Sequence, residues 1–457
     1  MLNEAQGALK MVLLWTDSLI FLLVFMVLLG GYFMRGKPHL LRPWRKVTGS
    51  AIAMVSIVLL SVFILIGLID SIHFKSGKSH NNEIISLLDY CLKPLRDSSE
   101  KTYSAPFSAY QYSKENRLNA DGVNIWGYPR LQFGGVHLEN PEQDKTHDIA
   151  IKTIIGIAKG AGLSLVLFIL YSRLQRKRPK QLLEDTAARS FWTTVFLVLS
   201  LACALADLAT YYHVFGTDKV GEDVFYQTLK SIRTGLVIGT LTTLIMLPMA
   251  IIFGILAGFF RGWVDDVIQY IYTTLNSIPS VLLIAASILM VQVYMANHEQ
   301  AYTSLIVIAD MRLLFLCMIL GVTSWTGLCR LLRAETLKLR EMEYIQAAQA
   351  LGVKRRMILL RHILPNVMHI VLISVVLDFS ALVLAEAVLS YINIGVDPTT
   401  YSWGNMINSA RLEMAREPIV WWSLAAAFLF MFTLVLAANL FADTVRNAFD
   451  PKRAEND

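Results

Sequence analysis

Residues 50–70 read SAIAMVSIVLLSVFILIGLID, a run without Lys or Arg and with one carboxylate, Asp70, at its far end. About 20 apolar residues of helix cross the roughly 30 Å hydrocarbon layer of a bilayer. Backbone polar groups in lipid must be satisfied within their own segment, so this block reads as a membrane helix. Blocks of the same kind recur at 12–34, 150–171, 190–212, 234–260, 267–294, 303–330, 367–390 and 420–442, which makes about nine spans. The whole chain agrees. Its 457 residues are 55% hydrophobic and 17% charged, against about 25% charged in soluble proteins. The expected fold class is all-α, a polytopic membrane protein. A soluble enzyme, a nucleic-acid-binding domain and a disordered chain are excluded. The first block is too long for a cleaved signal peptide and lacks a basic leading region.

Orientation follows from where Lys and Arg collect. Arg35, Lys37, Arg42, Arg45 and Lys46 follow the first span. Arg173, Arg176, Lys177, Arg178 and Lys180 follow the third. Arg330, Arg333, Lys338, Arg340, Lys354, Arg355, Arg356 and Arg361 follow the seventh, and Arg446, Lys452 and Arg453 lie in the tail. With nine spans all four groups fall on one side. That side is expected to be the cytoplasm, with the N-terminus outside and the C-terminus inside. The net charge of +6 then belongs to loops beside a membrane. The stretch 71–149 is the long outer segment, either a small cap or a loosely ordered loop.

No catalytic constellation is visible. Gly77, Lys78 and Ser79 imitate the end of a nucleotide-binding P-loop, but Ile72 stands where its first glycine belongs. There is no H-E-x-x-H, no G-x-S-x-G and no histidine cluster with metal spacing. Cys91, Cys203, Cys317 and Cys329 have no zinc-ligand spacing and read as structural. The chain is therefore not expected to be an enzyme or to hold a cofactor or metal. If energy is used, a partner supplies it.

The inner loop 331–366 carries the most information. Residues 341–351 are strong helix formers with Gly352 as the natural C-cap. Ala347, Ala348 and Ala350 give this short helix a face without bulk, which lets another protein approach the backbone. Pro365 suits the first turn of the next membrane helix. On composition alone, an ordinary basic loop with a surface helix explains as much.

The order of residues adds more. Ala347, Ala348, Gly352, Leu364 and Pro365 resemble the "EAA" loop of ABC-importer permeases. From about His213 to Pro451 the chain resembles the dipeptide/oligopeptide (and nickel) permease family, C-type subunit. The motifs, in order, are His213-Val214-Phe215-Gly216-Thr217-Asp218 with Gly221 and Asp223-Val224, then Ala257 through Asp265, then Arg361-His362-Ile363-Leu364-Pro365-Asn366. Ala385 through Ser390, Ser402-Trp403-Gly404-Asn405-Met406 and Asp450-Pro451 complete the series. Gln346 departs from the glutamate usual in this loop, and Glu222 from the arginine usual before Asp223. The largest departure precedes His213, where four spans stand in place of one.

The resemblance implies a type I ABC-importer permease core over 213–457, preceded by two helices (1–70), an outer segment (71–149) and an inserted hairpin (150–212). It implies an ATP-driven importer of di- or oligopeptides in the bacterial inner membrane, working by alternating access. The implied partners are a second permease, two ATPase subunits and a periplasmic or lipid-anchored binding protein, with ATP and magnesium held by the ATPases. Glu343, Gln346, Ala347, Ala348, Gly352, Arg355 and Pro365 would form the joint with an ATPase. Gly216, Asp218, Asp223, Trp403 and Gly404 would face the periplasm, although turn and cap chemistry also explains them. Ionisable residues inside spans are costly and so are functional candidates. Asp378 and Glu386, eight residues and about 80° apart on a helix, are expected either to line a pathway or to join neighbouring helices. Asp207 reads as an interfacial structural residue. A stand-alone ion-coupled transporter using the buried carboxylates is the alternative, and a non-transporting scaffold is a third possibility.

Overall fold

The computed structural model describes residues 10–34, 38–75, 84–118, 124–175, 184–298 and 304–449. Arg35, Lys37, Gly77, Lys78, Ser79, Arg176, Lys177, Arg178, Lys180, Asp450, Pro451, Lys452 and Arg453 lie outside the described residues. Among those described, nine helices are long and apolar enough to cross a membrane. The first are α1 (Trp15–Met34), α3 (Ala51–Asp70), α6 (Pro141–Leu174) and α7 (Thr186–Ala209), with a short amphipathic α2 (Pro38–Thr48) between α1 and α3. Then come α8 (Val224–Phe260), α9 (Trp263–Ser277), α10 (Ser280–Asn297) and α11 (Leu305–Arg340). The short α12 (Glu343–Ala350) precedes α13 (Arg355–Tyr391), α14 (Trp403–Glu413) and α15 (Trp422–Phe449).

Three local findings refine the expected spans. The block 267–294 is two helices. Ile278 takes an extended backbone (φ −90°, ψ 131°) because the ring of Pro279 disfavours a helical residue before it. Pro248, by contrast, is absorbed within α8. The seventh span continues as helix to Arg340, so the inner loop proper is shorter than 331–366. Pro365 lies, as expected, in the first turn of the regular α-helical stretch Leu364–Tyr391 of α13; a π turn over Leu359–Ile363 joins that stretch without a break to the short Arg355–Ile358 segment.

The chain divides into two compact units. One comprises Met1–Leu13, Thr48–Thr234 and Tyr401–Ala437. Here the described residues of 71–149 form short strands and helices rather than a loose loop. Strands β1 (Lys10–Val12), β2 (His73–Lys75) and β3 (Ile84–Ser86) form an antiparallel sheet, with Phe74 between Met11 and Ile85. Strands β4 (Glu115–Leu118) and β5 (Asn124–Gly127) form a hairpin. Two small sheets thus accompany the helical architecture. Short helices α4 (Leu87–Cys91) and α5 (Lys93–Arg96) follow β3, and a capping box of Ser86 and Asp89 starts α4. Lys230 Nζ lies 2.6 Å from Asp70 Oδ1 and 2.9 Å from Asp89 Oδ1, and the Tyr226 hydroxyl donates to Asp89 at 2.7 Å. Burial pushes the Asp89 carboxyl up, but Lys230 and Tyr226 outweigh it and hold the group at about 2. Helices α6 and α7 form a close hairpin. A Cβ on Gly156 would stand 2.5 Å from Ala204 Cα, and one on Gly160 2.5 Å from Ser200 Cα. The pair is a small-xxx-small packing face. Asp207, on α7, is bridged by Lys159 at 2.8 Å, a structural pairing within the hairpin.

The other unit comprises Leu14–Val47, Gly235–Thr400 and Ala438–Asp457. Gly254 and Gly258 repeat the packing device. Their missing side chains admit Leu332, Cys329, Arg333 and Thr336 of α11. One apolar cluster gathers Met246, Phe259, Ile268, Tyr272, Trp325, Leu332, Ile345, Ile358 and Ile363. A second gathers Val237, Leu241, Ile284, Leu313, Leu320 and Leu389. Helix α1 is pinned by the Thr16 hydroxyl, which donates to Asp310 at the start of α11.

Candidate functional site

Helix α12 has one fully buried side chain, with Ala348 half-buried against the same cluster and the Tyr344 hydroxyl accepting from the Asn366 amide at 3.1 Å. Ile345 is 0% exposed and enters the cluster with Phe259, Tyr272 and Ile358. Glu343, Gln346 and Ala347 are exposed, and Ala348 is half-buried. The Gln346 amide donates to the Glu341 carbonyl at 3.2 Å. The helix closes in a Schellman motif: Gly352 N–H reaches the Gln349 carbonyl at 3.0 Å, and Val353 N–H reaches that of Ala348 at 3.1 Å. Gly352 takes φ +74°, with nothing within 4 Å of the place a Cβ would occupy. Around it Leu351 is 84% exposed, and Met342, Tyr344 and Met357 are exposed too. These apolar side chains surround a short, externally presented helix.

The platform beneath it is braced by charge. Arg333 makes a two-point contact with Asp265, 2.6 Å at each oxygen. Arg261 reaches Glu341 at 2.5 Å, and Arg340 donates to the Phe259 carbonyl at 2.9 Å. Arg261 and Gly262 both take positive φ, which makes the sharp turn between α8 and α9. Arg355 is exposed, with its guanidinium carbon 5.8 Å from the centre of the Phe260 ring. Phe259, Phe260, Arg340, Gln349, Val353, Arg355 and Ile358 line a groove of about 340 Å³. Pro365 is exposed beside the half-buried Leu364. Six of the seven residues singled out around this loop are therefore exposed, and Ala348 is the half-buried one.

The motifs from His213 to Asp223 and from Ser402 to Met406 are largely buried, with Asp218 and Glu222 half-buried and Lys219 and Val220 exposed. Asp223 accepts from the backbone N–H of Phe225 and Tyr226 at 2.8 and 3.1 Å, capping α8. Its other oxygen meets His213 Nδ1 at 2.7 Å, and His213 Nε2 lies 3.5 Å from Glu100. Glu100 in turn accepts the backbone N–H of Gln132, Phe133 and Gly134. Burial works against a charged ring, but the bonds to Asp223 and Glu100 prevail and push the His213 pKa up to about 9. Asp218 accepts from the N–H of Val220 and Glu222, both at 2.9 Å. Gly216 and Gly221 take φ +70° and +81°, and a Cβ would meet the Ser104 carbonyl oxygen at 2.3 Å and that of Glu100 at 1.8 Å. Trp403 is buried and donates to the Thr228 carbonyl at 3.2 Å, with Gly404 buried beside it.

The two membrane carboxylates part company. Glu386 is 2% exposed and accepts from the Ser390 hydroxyl at 2.7 Å. Asp378 is half-buried. Sequence reasoning missed the anchoring role of Ile345, the Lys230 cluster and the Glu100 partner of His213. It also passed over the two glycine pairs, whose four-residue spacing was a readable signal.

Residues 250–455, which contain α12 and both carboxylates, match the family described as binding-protein-dependent transport system inner membrane component. A dipeptide transport system permease protein of Lactococcus lactis subsp. cremoris is 30% identical over 244 residues, 53% of this chain and 65% of the relative. An oligopeptide transport system permease protein of Haemophilus influenzae is 31% identical over 242 residues, 53% of this chain and 71% of that one. A glutathione transport system permease protein of Pectobacterium atrosepticum is 32% identical over 242 residues, 52% of this chain and 73% of that one. Residues 1–249, with the 71–149 segment and the α6–α7 hairpin, lie outside the match to the family model. The fold, the exposed short helix after α11 and these likenesses agree: the chain belongs to the family of ABC-importer permeases, in its dipeptide and oligopeptide branch.

Proposed function

We propose that this chain moves small peptides across a bacterial inner membrane as one permease subunit of an ATP-driven importer. The observation that carries the reading is α12: a short helix with one buried anchor, an alanine face, an open glycine cap and an exposed apolar rim, in a family of importer permeases. Such a surface suits the cleft of a partner ATPase. Glu343, Gln346, Ala347 and Ala348 form the docking face, Gly352 ends it without bulk, and Arg355 and Pro365 border it. Ile345 and the Arg333–Asp265 brace make it a lever, because displacement of α12 is passed to the cluster where α8, α9, α11 and α13 meet.

In this reading the ATPases hold ATP and magnesium, and a second, similar permease completes the pathway. A binding protein delivers substrate from outside. The basic clusters put α12 and the C-terminal end in the cytoplasm and the start of α1 outside. ATPase closure shifts the bundle between two openings, and the differential stability of those states gives direction. Asp378 is the carboxylate placed to meet a peptide amino group, whereas Glu386 holds its own helix through Ser390. Gly216, Asp218, Asp223, Trp403 and Gly404 build the outer platform that receives the binding protein. Peptides are the substrate class because the relatives are named for dipeptide, oligopeptide and glutathione transport.

The test is co-purification followed by reconstitution. A C-terminally tagged chain solubilised with ATP and magnesium should bring down a second permease and P-loop ATPases in fixed ratio. Vesicles containing that complex should take up peptide only with ATP and binding protein. A chain that purifies alone and still transports would overturn the proposal.

A further inference from the structure

Helix α2 (Pro38–Thr48) reads PHLLRPWRKVT, with three Lys or Arg and no Asp or Glu. At about 100° per residue, Arg42, Arg45 and Lys46 fall within about 100° of arc, opposite Trp44 and Val47. The fold keeps the two sides distinct. Val47 is 0% exposed and Trp44 is half-buried, whereas Arg42, Arg45 and Lys46 are exposed. Arg45 and Lys46 each engage a neighbour in the chain and yet stay exposed. A helix of 11 residues with Pro43 inside it is marginal on its own, so its surroundings must hold it.

The depth of α2 follows from α15. The apolar run of α15 stops at Ala442, and Asp443 and Arg446 beyond it are exposed. From Ala442 to Phe449 the helix rises about 10 Å. The headgroup layer on each side of the hydrocarbon is about 5–8 Å thick. The Trp44 ring meets the Phe449 ring edge-on, with 5.6 Å between centroids. Helix α2 therefore lies at the level of the headgroups. Only Gly49 and Ser50 separate it from the span α3, so its end cannot leave the membrane surface.

We propose that the Arg42, Arg45 and Lys46 side of α2 binds anionic phospholipid headgroups and makes α2 an anchor on the membrane surface. Cations exposed at headgroup depth meet phosphate, and each favours an anionic surface about five-fold. A zwitterionic surface offers no such net attraction. The occupant is lipid because the packing on Phe449 and the short tether to α3 hold these cations at the bilayer surface. The inference goes beyond the importer reading and does not depend on it, since α2 lies outside the residues matched to the family.

The experiment is hydrogen exchange on the full chain, with any co-purifying subunits, in lipid nanodiscs. One set holds phosphatidylcholine alone, and the other phosphatidylcholine and phosphatidylglycerol at three to one. Measured against the β4–β5 hairpin in the same sample, α2 amides should exchange at least ten-fold more slowly with phosphatidylglycerol. Arg42→Gln, Arg45→Gln and Lys46→Gln together should remove that difference, whereas Arg42→Lys with Arg45→Lys should keep it. Equal exchange of α2 in the two lipids overturns the proposal, and this comparison uses the unsubstituted chain, so it stands whether or not a variant folds. A lipid effect that survives the triple substitution overturns it as well. Slowing of α2 by added ATPases in phosphatidylcholine alone, with no effect of phosphatidylglycerol, would give the surface to a protein instead. Peptide uptake is not the readout, so loss of the importer reading would leave the lipid result standing.

Discussion

Gly221 and Gly352 share a residue type and a backbone, φ +81° and +74°, and both sit in motifs prominent in the sequence. Their surroundings are opposite. A Cβ at 221 would stand 1.8 Å from the Glu100 carbonyl oxygen, and one at 352 would meet nothing within 4 Å. The same contrast runs through the two regions. Around Gly221 most of the motif residues are buried or half-buried, and His213 sits between Asp223 and Glu100. Around Gly352 the motif residues are exposed, and the apolar Leu351 stands in water. A motif that closes on itself maintains a fold. A motif that leaves its surface open is free to meet another molecule.

The comparison breaks first at Gly221. Gly221→Ala should abolish accumulation of folded chain, at a cost of about 4 kcal/mol or more, because backbone must move and positive φ is strained as well. Protease resistance in membranes reads this out. A folded, resistant G221A chain would show that the 71–149 segment tolerates displacement of Glu100. The second effect is a pH dependence. In the fold His213 keeps its proton to about pH 9, whereas the unfolded ring loses it near 6.5. The stabilisation is therefore complete below pH 6.5 and decays as pH rises through 9. The gap corresponds to ~3 kcal/mol at most. Melting temperature in detergent should fall between pH 7 and pH 9.5, and His213→Gln should flatten that part of the curve. The third is Gly160→Ala, which pushes a methyl group against Ser200 Cα and should cost about 2 kcal/mol by prising the α6–α7 hairpin apart. Cross-linking between cysteines placed on the two helices would report the separation. Fourth, Gly352→Ala should cost only about 1 kcal/mol, the penalty for a side chain at positive φ with free space around it.

Much of this contrast was legible in the sequence, and the division has physical causes. Apolar blocks and helix formers ending in glycine are local signals, so the nine spans and α12 could be read directly. The span ends were read short because Arg330, Arg333 and Lys338 resemble loop charges, yet Arg, Lys and Glu are good helix formers and α11 continues through them. The 71–149 segment was harder. Its strands are only three or four residues long and show no useful alternation. The charge network around His213 depends on Glu100, more than a hundred residues before it, and Lys230 finds Asp70 and Asp89 over a still longer separation. No local pattern marks such pairs. The glycines at 156 and 160, and at 254 and 258, were readable as close-packing sites, but only the structure says which helix fills each gap.

The smallest effect on the fold is also the sharpest test of the contrast. Ala347→Arg adds a long cation to an exposed position on α12, two residues from the buried Ile345 but off its face. A surface substitution of this kind usually changes stability by no more than ~0.5 kcal/mol. Melting and membrane levels should therefore match the unsubstituted chain. ATPase co-purification should nevertheless fall at least ten-fold, and ATP-dependent uptake with it, because the bulk lands where a partner must approach the backbone. An arginine introduced at an exposed small residue of the 71–149 segment, Ser99→Arg, should leave both readouts unchanged. If Ala347→Arg keeps the ATPases bound, the open surface around Gly352 is not the joint, and the distinction between closed and open motifs loses its functional half.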